Sequence, residues 1–399
     1  MSIISHSVQN LKPSQTIAIS TKAAELRAEG RDVIALSAGE PDFDTPDFIK
    51  DAAKAAIDAG QTKYTPPDGT PALKDAIISK FNRENGLSFD RSQVMASTGG
   101  KQVIFNALKA SLNPGDEVII PTPYWVSYPD MVALCGGTPV IVETMPNDAF
   151  ILSPEALAAA ITPKTKWVIL NSPGNPSGSV YSADALAGLA DVLRQHVHVW
   201  TMCDDMYEHL IYDGDFSTIA AVAPEIAGRV LTVNGVSKAY SMTGWRIGYC
   251  GGPADLIKAM KSVQSQSTSN PSSISQAAAA AALNGPQEFL SNWRAAFKER
   301  RDLVVTALNG CDGIHCDTPT GAFYAFPSIK GCLGKTSAKG ANIASDEDFV
   351  IALLDEADVA LVHGSAFGMP GHMRISYAAS EENLEKAMTR LQAFCAGLT

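Results

Sequence analysis

Lys238 sits among small and apolar residues, with Ser237 directly before it and Arg246 eight positions on. Two strand-like runs, Val230 to Val233 and Arg246 to Tyr249, bracket it. A lysine between such runs is partly stripped of water. Desolvation and a neighbouring guanidinium both lower an ammonium pKa, which leaves neutral amine near neutral pH to attack an aldehyde. Ser237 offers a hydroxyl and Arg246 a rigid, permanently charged fork, the groups a phosphate ester needs. An amine beside a phosphate cradle suits pyridoxal phosphate. A lone lysine in a Gly/Ser turn is ordinary surface, so the rest of the chain must decide.

Other chemistry-bearing residues fall where an ordered fold would gather them. Short apolar runs at Val94–Ser97, Glu117–Pro121, Val140–Glu143, Trp167–Leu170, His198–Met202 and Val230–Val233 alternate with helical stretches. That rhythm predicts βαβ units and a mostly parallel sheet covered on both faces. Sites in such sheets gather at the carboxyl ends of the strands. There Gly99, Gly100 and Lys101 open a helix and present backbone N–H groups to an anion, unless they form only a tight turn. Asn175 lies in the Pro-rich loop after Trp167–Leu170, where Asn-Pro is also a common turn dipeptide. Asp204 follows His198–Met202, and a carboxylate at the end of a buried strand needs a cationic partner such as a pyridinium nitrogen, or else caps a helix. Tyr207, three residues on, shares its face if the chain turns helically there, or is a core aromatic.

Upstream, Gly39 precedes Glu40-Pro41 in an irregular loop whose backbone can approach a ligand closely, and Tyr64 lies in a Pro/Gly loop. Downstream, Arg374 is flanked by apolar residues in a strand and needs an anion, either a ligand or a structural partner. A long helix near Pro286–Asn309 leads to strands at Ala322–Phe326, Val359–Val362 and Met373–Tyr377. Helices near Asp346–Glu356 and after Ser380 complete a smaller α+β region.

The 399 residues, 46% of them hydrophobic, are enough for two cores. With 42 acidic against 31 basic residues and no basic run, nucleic acid and anionic membrane are disfavoured as partners. No apolar leader or membrane-length segment appears, so a soluble cytoplasmic protein is expected. Seven scattered cysteines predict reduced, buried thiols. Cys311, His315 and Cys316 have no second half, so no metal is expected. Gly334-Lys335-Thr336 lacks the first glycine of a phosphate loop, because Ile329 stands there.

These motifs, in order and over essentially the whole chain from Lys12, resemble the class I/II pyridoxal-phosphate aminotransferases of fold type I. Within them the chain is similar to the bacterial aspartate aminotransferase subgroup that includes aspartate/prephenate aminotransferases. The resemblance implies an α/β fold: a large domain with a mostly parallel seven-stranded sheet, plus a smaller α+β domain. Its bounds would be a small-domain segment at 1–48, a large cofactor-binding domain at 49–290 and a small C-terminal domain at 291–399. It implies that Lys238 bonds the cofactor and moves the proton, Asp204 holds the pyridine nitrogen, and Asn175 and Tyr207 bond the phenolic oxygen. Trp125 would stack on the ring, its alternative being a core tryptophan. Gly100, Lys101, Ser237, Arg246 and the partner chain's own copy of Tyr64 would bind phosphate, which makes a homodimer with shared sites obligatory.

For substrate, the resemblance places Gly39 and Arg374 at the α-carboxylate, beside Trp125 and Asn175, with Lys101 and Lys12 at a side-chain carboxylate. Lys101 is alternatively a solvated helix-start lysine. Residues 262–293 contain neither Lys nor Arg, so the partner-chain arginine of another aspartate aminotransferase branch is absent. Asn10-Leu11 stands where close relatives often have Arg-Val. The implied reaction is amino transfer between aspartate and 2-oxoglutarate by a ping-pong route. The alternatives are transfer to an aromatic or prephenate-type oxo acid (arogenate-forming), β-elimination on the same scaffold, or a regulator's effector domain.

Overall fold

The computed structural model describes residues 3–9, 11 and 15–399, so Lys12 lies outside the described residues. A seven-stranded sheet runs, edge to edge, Val94–Ser97, Gly248–Gly251, Val230–Gly235, Trp200–Asp204, Thr165–Asn171, Glu117–Pro121 and Thr138–Val142. Neighbours are parallel except at Gly248–Gly251, which runs against both of its partners. A parallel return needs a long crossover, usually a helix. Segment 236–247 holds only a 3-10 turn, Thr243–Trp245, so the chain comes straight back. That return loop carries Lys238.

Both sheet faces are buried, and the strands alternate between them. Val168 and Leu170 join Ile77, Phe81 and Leu189 in one core, whereas Trp167 and Ile169 join Val103, Ile104 and Leu108 in the other. Helix Gly100–Ser111 covers the second face with Val103, Ile104, Ala107 and Leu108, one stripe at helical spacing. Helix Pro71–Asn85 covers the first, a span for which the sequence reading assigned no element. Its signals are plain in retrospect: Thr70 caps the backbone N–H of Leu73, Pro71 opens the first turn, and Gly86 closes the helix at φ 66°. Two strand boundaries also move. Arg246 is not extended but left-handed at φ 56°, and Asp204 is the last residue of its strand rather than lying beyond it.

A third core joins Ile34 and Leu36 to Phe323, Tyr324, Phe349, Ile375 and Leu391, residues from opposite ends of the chain. Ile34–Ala35 pairs in parallel with Val359–Ala360, and an antiparallel sheet runs Val362–His363, Met373–Ser376, Tyr324–Ala325. The single strand expected over Val359–Val362 thus divides at Leu361 between two sheets. All seven cysteines are free and buried. Cys311 and Cys316 turn their thiols to the Ala307 and Asp317 carbonyls, while exposed His315 meets the Asp317 carboxylate at 3.2 Å. No helix among the described residues is long and apolar enough to cross a membrane.

In helix Pro71–Asn85, Lys80 is wholly buried, ion-paired to Glu208 and donating to Asn85 Oδ1 at 2.7 Å. Asn85 Nδ2 in turn donates to Glu208 at 2.7 Å. Removing one partner of such a pair strands a buried charge. Lys80→Ala is therefore expected to cost about 3–5 kcal/mol in urea unfolding, whereas Lys80→Met with Glu208→Gln recovers most of the loss. Equal losses in the two proteins would reject the pairing argument.

Candidate active site

Four segments deliver their side chains to one cavity of about 390 Å³ at the carboxyl edge of the sheet. The end of Trp200–Asp204 supplies Asp204, and the turn after it supplies Tyr207; the return loop supplies Ser237, Lys238 and Arg246. The start of helix Gly100–Ser111 supplies Gly100 and Lys101, and the loop after Thr165–Asn171 supplies Asn175. Trp125, Gly39 and Arg374 line the cavity as well. Tyr64 is not part of it: its side chain is 91% exposed.

Lys238 is half-buried, and its Nζ donates to the Gly39 carbonyl at 2.5 Å. Burial lowers its pKa to about 8; the Arg374 and Arg246 charges act in the same direction, against Glu40 and Asp204. Asp204 is buried and raised above the usual carboxylate range by desolvation, although Tyr128 donates to its Oδ2 at 2.6 Å. Its Oδ1 is buried with no partner. A carboxylate so placed demands a cationic N–H.

Arg374 is likewise buried, with its pKa lowered by desolvation. Its Nη1 donates to Asn175 Oδ1 at 3.0 Å and its Nη2 to the Ser37 carbonyl, while Nε has no partner. Without a carboxylate neighbour of its own, this guanidinium is suited to an incoming anion. The reading of Arg374 as half of a structural salt bridge finds no acidic partner among the described residues.

The anion cradle depends on close backbone approach. A Cβ at Gly99 would collide with the Arg246 guanidinium, and one at Gly248 with the Gly100 backbone. Gly99 also supplies no capping side chain, so the first N–H groups of helix Gly100–Ser111 stay open to a ligand. Arg246 is anchored by donating to the Thr243 carbonyl at 2.8 Å. Beside it Lys101 is exposed, its Nζ 4.9 Å above the Trp125 ring, and its pKa is lowered by partial desolvation and then by Arg246.

Three neighbours were missed from sequence. Tyr128 bonds Asp204, and Asn171 donates to the Asp204 carbonyl at 2.8 Å while accepting from Asn175 N at 2.8 Å. Tyr324 lines the cavity and meets the Tyr207 hydroxyl at 2.8 Å. A buried tyrosine hydroxyl must find a partner, but nothing local in the sequence says which residue that partner is.

Residues 31–391 match the family described as aminotransferase class I and II. The chain is 61% identical over 400 residues to the aspartate/prephenate aminotransferase of Cereibacter sphaeroides, covering 100% of both. It is 56% identical to an aspartate aminotransferase of Rhizobium meliloti, covering 97% of this chain and 95% of that one. A crystal structure of the aspartate aminotransferase from Rhizobium meliloti superposes with a TM-score of 0.97 at 54% identity, covering 100% of each chain. The Thermus thermophilus aspartate aminotransferase with maleate superposes at 0.92, with 45% identity, 99% of this chain and 100% of that one.

Acylation of the cofactor-free protein across a pH series, read residue by residue by mass spectrometry, tests the amine. Lys238 is expected to titrate with a midpoint of about 8, against roughly 10.4 for exposed lysines. Arg374→Gln removes a positive neighbour and should move that midpoint up. A Lys238 that titrates with the surface lysines would overturn the desolvation argument.

Proposed function

The chain belongs to the class I and II aminotransferases, and from that premise we propose how its cavity works. The protein is a pyridoxal-phosphate-dependent transaminase of the α/β fold type I. The residues present fit the cofactor: Asp204 Oδ1 is buried without a partner, the glycines at 99 and 248 open room for a phosphate beside Arg246, and Lys238 offers an amine of lowered pKa. Bound, the cofactor supplies an aldehyde to carry the amino group and a ring that accepts electrons from the substrate Cα.

The chain's residues then take these roles. Lys238 would hold the cofactor; once released, its Nζ would take the proton from the substrate Cα and deliver it to the cofactor carbon that carries the amino group. Asp204, oriented by Tyr128, keeps the pyridine nitrogen protonated. Asn175 and Tyr207 stabilise the anionic phenolic oxygen, and Trp125 packs on the ring face. Gly100, Lys101, Ser237 and Arg246 bind the phosphate. Arg374 receives the α-carboxylate beside Gly39, Trp125 and Asn175. The observation that carries this reading is the convergence of a poised amine, a carboxylate oxygen without a partner and a guanidinium Nε without a partner on one cavity.

The favoured reaction is amino transfer between aspartate and 2-oxoglutarate, a ping-pong exchange in the cytoplasm. Lys101 stands at the open side of the cavity, where a side-chain carboxylate would meet it, and Lys12 is proposed to assist. An aromatic or prephenate-type oxo acid is the second reading, supported by the name of the 61%-identical relative. Both aspartate and prephenate carry a second carboxylate, whereas a simple aromatic amino acid does not. Lys101 therefore separates dianions from monoanions rather than one dianion from the other.

We assign residues 1–48 and 291–399 to a small domain and 49–290 to the large one, a division supported by the shared core of Ile34, Leu36 and the C-terminal elements. Arg374 and Lys238 then lie on different domains, so substrate drives closure and expels water. The protein is proposed to be a homodimer, with the exposed Tyr64 of each chain completing its partner's phosphate site.

Mixing the pyridoxal-loaded protein with single amino acids, and following the cofactor's absorbance, tests the reaction. Aspartate and glutamate should convert it rapidly, Lys238→Ala should abolish conversion, and Lys101→Ala should slow both dicarboxylates by roughly ten- to a hundredfold in kcat/KM. Conversion by aromatic amino acids alone would shift the assignment to that specificity. For the dimer, a hybrid of Lys238→Ala with Tyr64→Ala chains contains one intact site and should exceed both parents in activity. No gain in the hybrid would reject shared sites.

A further inference from the structure

Tyr324 touches three of the residues assigned above and has no role among them. It is buried, and its hydroxyl lies 2.8 Å from that of Tyr207. The Arg374 guanidinium carbon sits 4.7 Å above its ring and 5.0 Å from that of Phe367. At Gly39 even one added Cβ would collide with its hydroxyl. The placement follows from strand register. Tyr324 pairs with Ser376, and Arg374, two residues from Ser376, points to the same face as a diagonal neighbour. The ring thus lies under the guanidinium because of where the two strands pair.

We propose that Tyr324 is a positioning residue that ties Arg374 to Tyr207: its ring seats the guanidinium, and its hydroxyl donates to the Tyr207 oxygen. The proposal rests on the roles assigned to Arg374 and Tyr207. If Tyr207 gives its own proton to the cofactor's phenolic oxygen, the proton between the two phenols must come from Tyr324. A donor behind Tyr207 makes Tyr207 the stronger donor in front. Arg374 acts on the same pair, because burial raises both phenol pKa values while its charge pulls them back. A carboxylate arriving at Arg374 offsets that charge, so occupancy of the anion site is felt at the phenolic oxygen through one side chain.

Two variants separate the two functions of this side chain. Tyr324→Phe keeps the ring and loses the hydroxyl, whereas Tyr324→Leu loses both. The readouts are the pKa seen in the bound cofactor's visible absorbance, without turnover, and the Kd of maleate as an unreactive dicarboxylate probe. Losing a donor leaves the phenolic oxygen holding its nearby proton more tightly, so Tyr324→Phe should raise the spectral pKa by about half a unit. It should leave the maleate Kd within about twofold, and Tyr324→Leu should weaken maleate about fivefold or more.

Tyr207→Phe and Arg374→Lys serve as references. If Tyr207→Phe moves the spectral pKa and Tyr324→Phe does not, the proposal for Tyr324 alone is overturned. If Tyr207→Phe leaves it unmoved, the role of Tyr207 falls and this proposal with it. Unchanged maleate binding in Tyr324→Leu, with weakened binding in Arg374→Lys, removes the seat; unchanged binding in both removes the anion role of Arg374. Tyr324→Phe takes away one hydroxyl and nothing else, so it remains decisive should the leucine variant not fold.

Discussion

Taking an ammonium out of water is unfavourable, and the site is organised around making that useful at Lys238. Burial favours the neutral, nucleophilic amine and is the largest effect on its pKa. The charges around it then adjust the balance: Arg374 and Arg246 push its proton off, while Glu40 and Asp204 hold it on, and with burial the result is a pKa of about 8. Asp204 and Arg374 are themselves buried and incompletely partnered. Each of these groups is poorly satisfied alone. A ligand bearing a cationic ring nitrogen, an aldehyde and a carboxylate-bearing substrate satisfies them together, which is the physical meaning of a preorganised site.

The backbone makes this arrangement possible by one local departure from a parallel sheet. Because segment 236–247 forms a 3-10 turn and no crossover helix, Gly248–Gly251 comes back antiparallel and lies between Val94–Ser97 and Val230–Gly235. The start of the returning strand is thereby set against the start of helix Gly100–Ser111. Only a glycine at 248 permits the contact. Arg246 reaches the same place by adopting a left-handed backbone, a conformation that costs a non-glycine residue energy and is characteristic of functional sites. A helix N-terminus, a guanidinium and a lysine are thus brought to one edge of the sheet by the helix-free return of a single connection.

Much of this could be read from the sequence because its signals are local. The alternation of apolar runs with helical stretches gave the sheet, and the residues just after those runs gave the cavity wall. Strand ends drifted, as with Asp204, because hydrophobicity fades before hydrogen bonding does. Helix Pro71–Asn85 was passed over despite its cap and its Pro and Gly boundaries, since its apolar positions are spaced among charged ones. Tyr128, Asn171 and Tyr324 were invisible for a different reason. Their importance lies in what they touch, and Tyr324 lies 117 positions from Tyr207. No periodicity encodes a contact of that span; it exists only once two separate strands have found their register.

Arg374 draws the consequence of that long-range assembly furthest. Its two terminal nitrogens bond Ser37, from the N-terminal segment, and Asn175, from the loop following a central strand, while its own strand lies near the C-terminus. Tyr324 and Phe367 both set aromatic surface against its guanidinium. A lysine could supply the charge but neither the planar fork nor the stacked face. The orientation of the group is therefore fixed by bonds to Ser37 and Asn175 and by ring contacts with Tyr324 and Phe367, and misplacing Ser37 or Asn175 would leave a buried cation with a bond unmade. That coupling makes the geometry of the anion site a test of whether the whole fold has closed correctly, because the guanidinium keeps these contacts only when the N-terminal segment, the central sheet and the C-terminal strands are all in place.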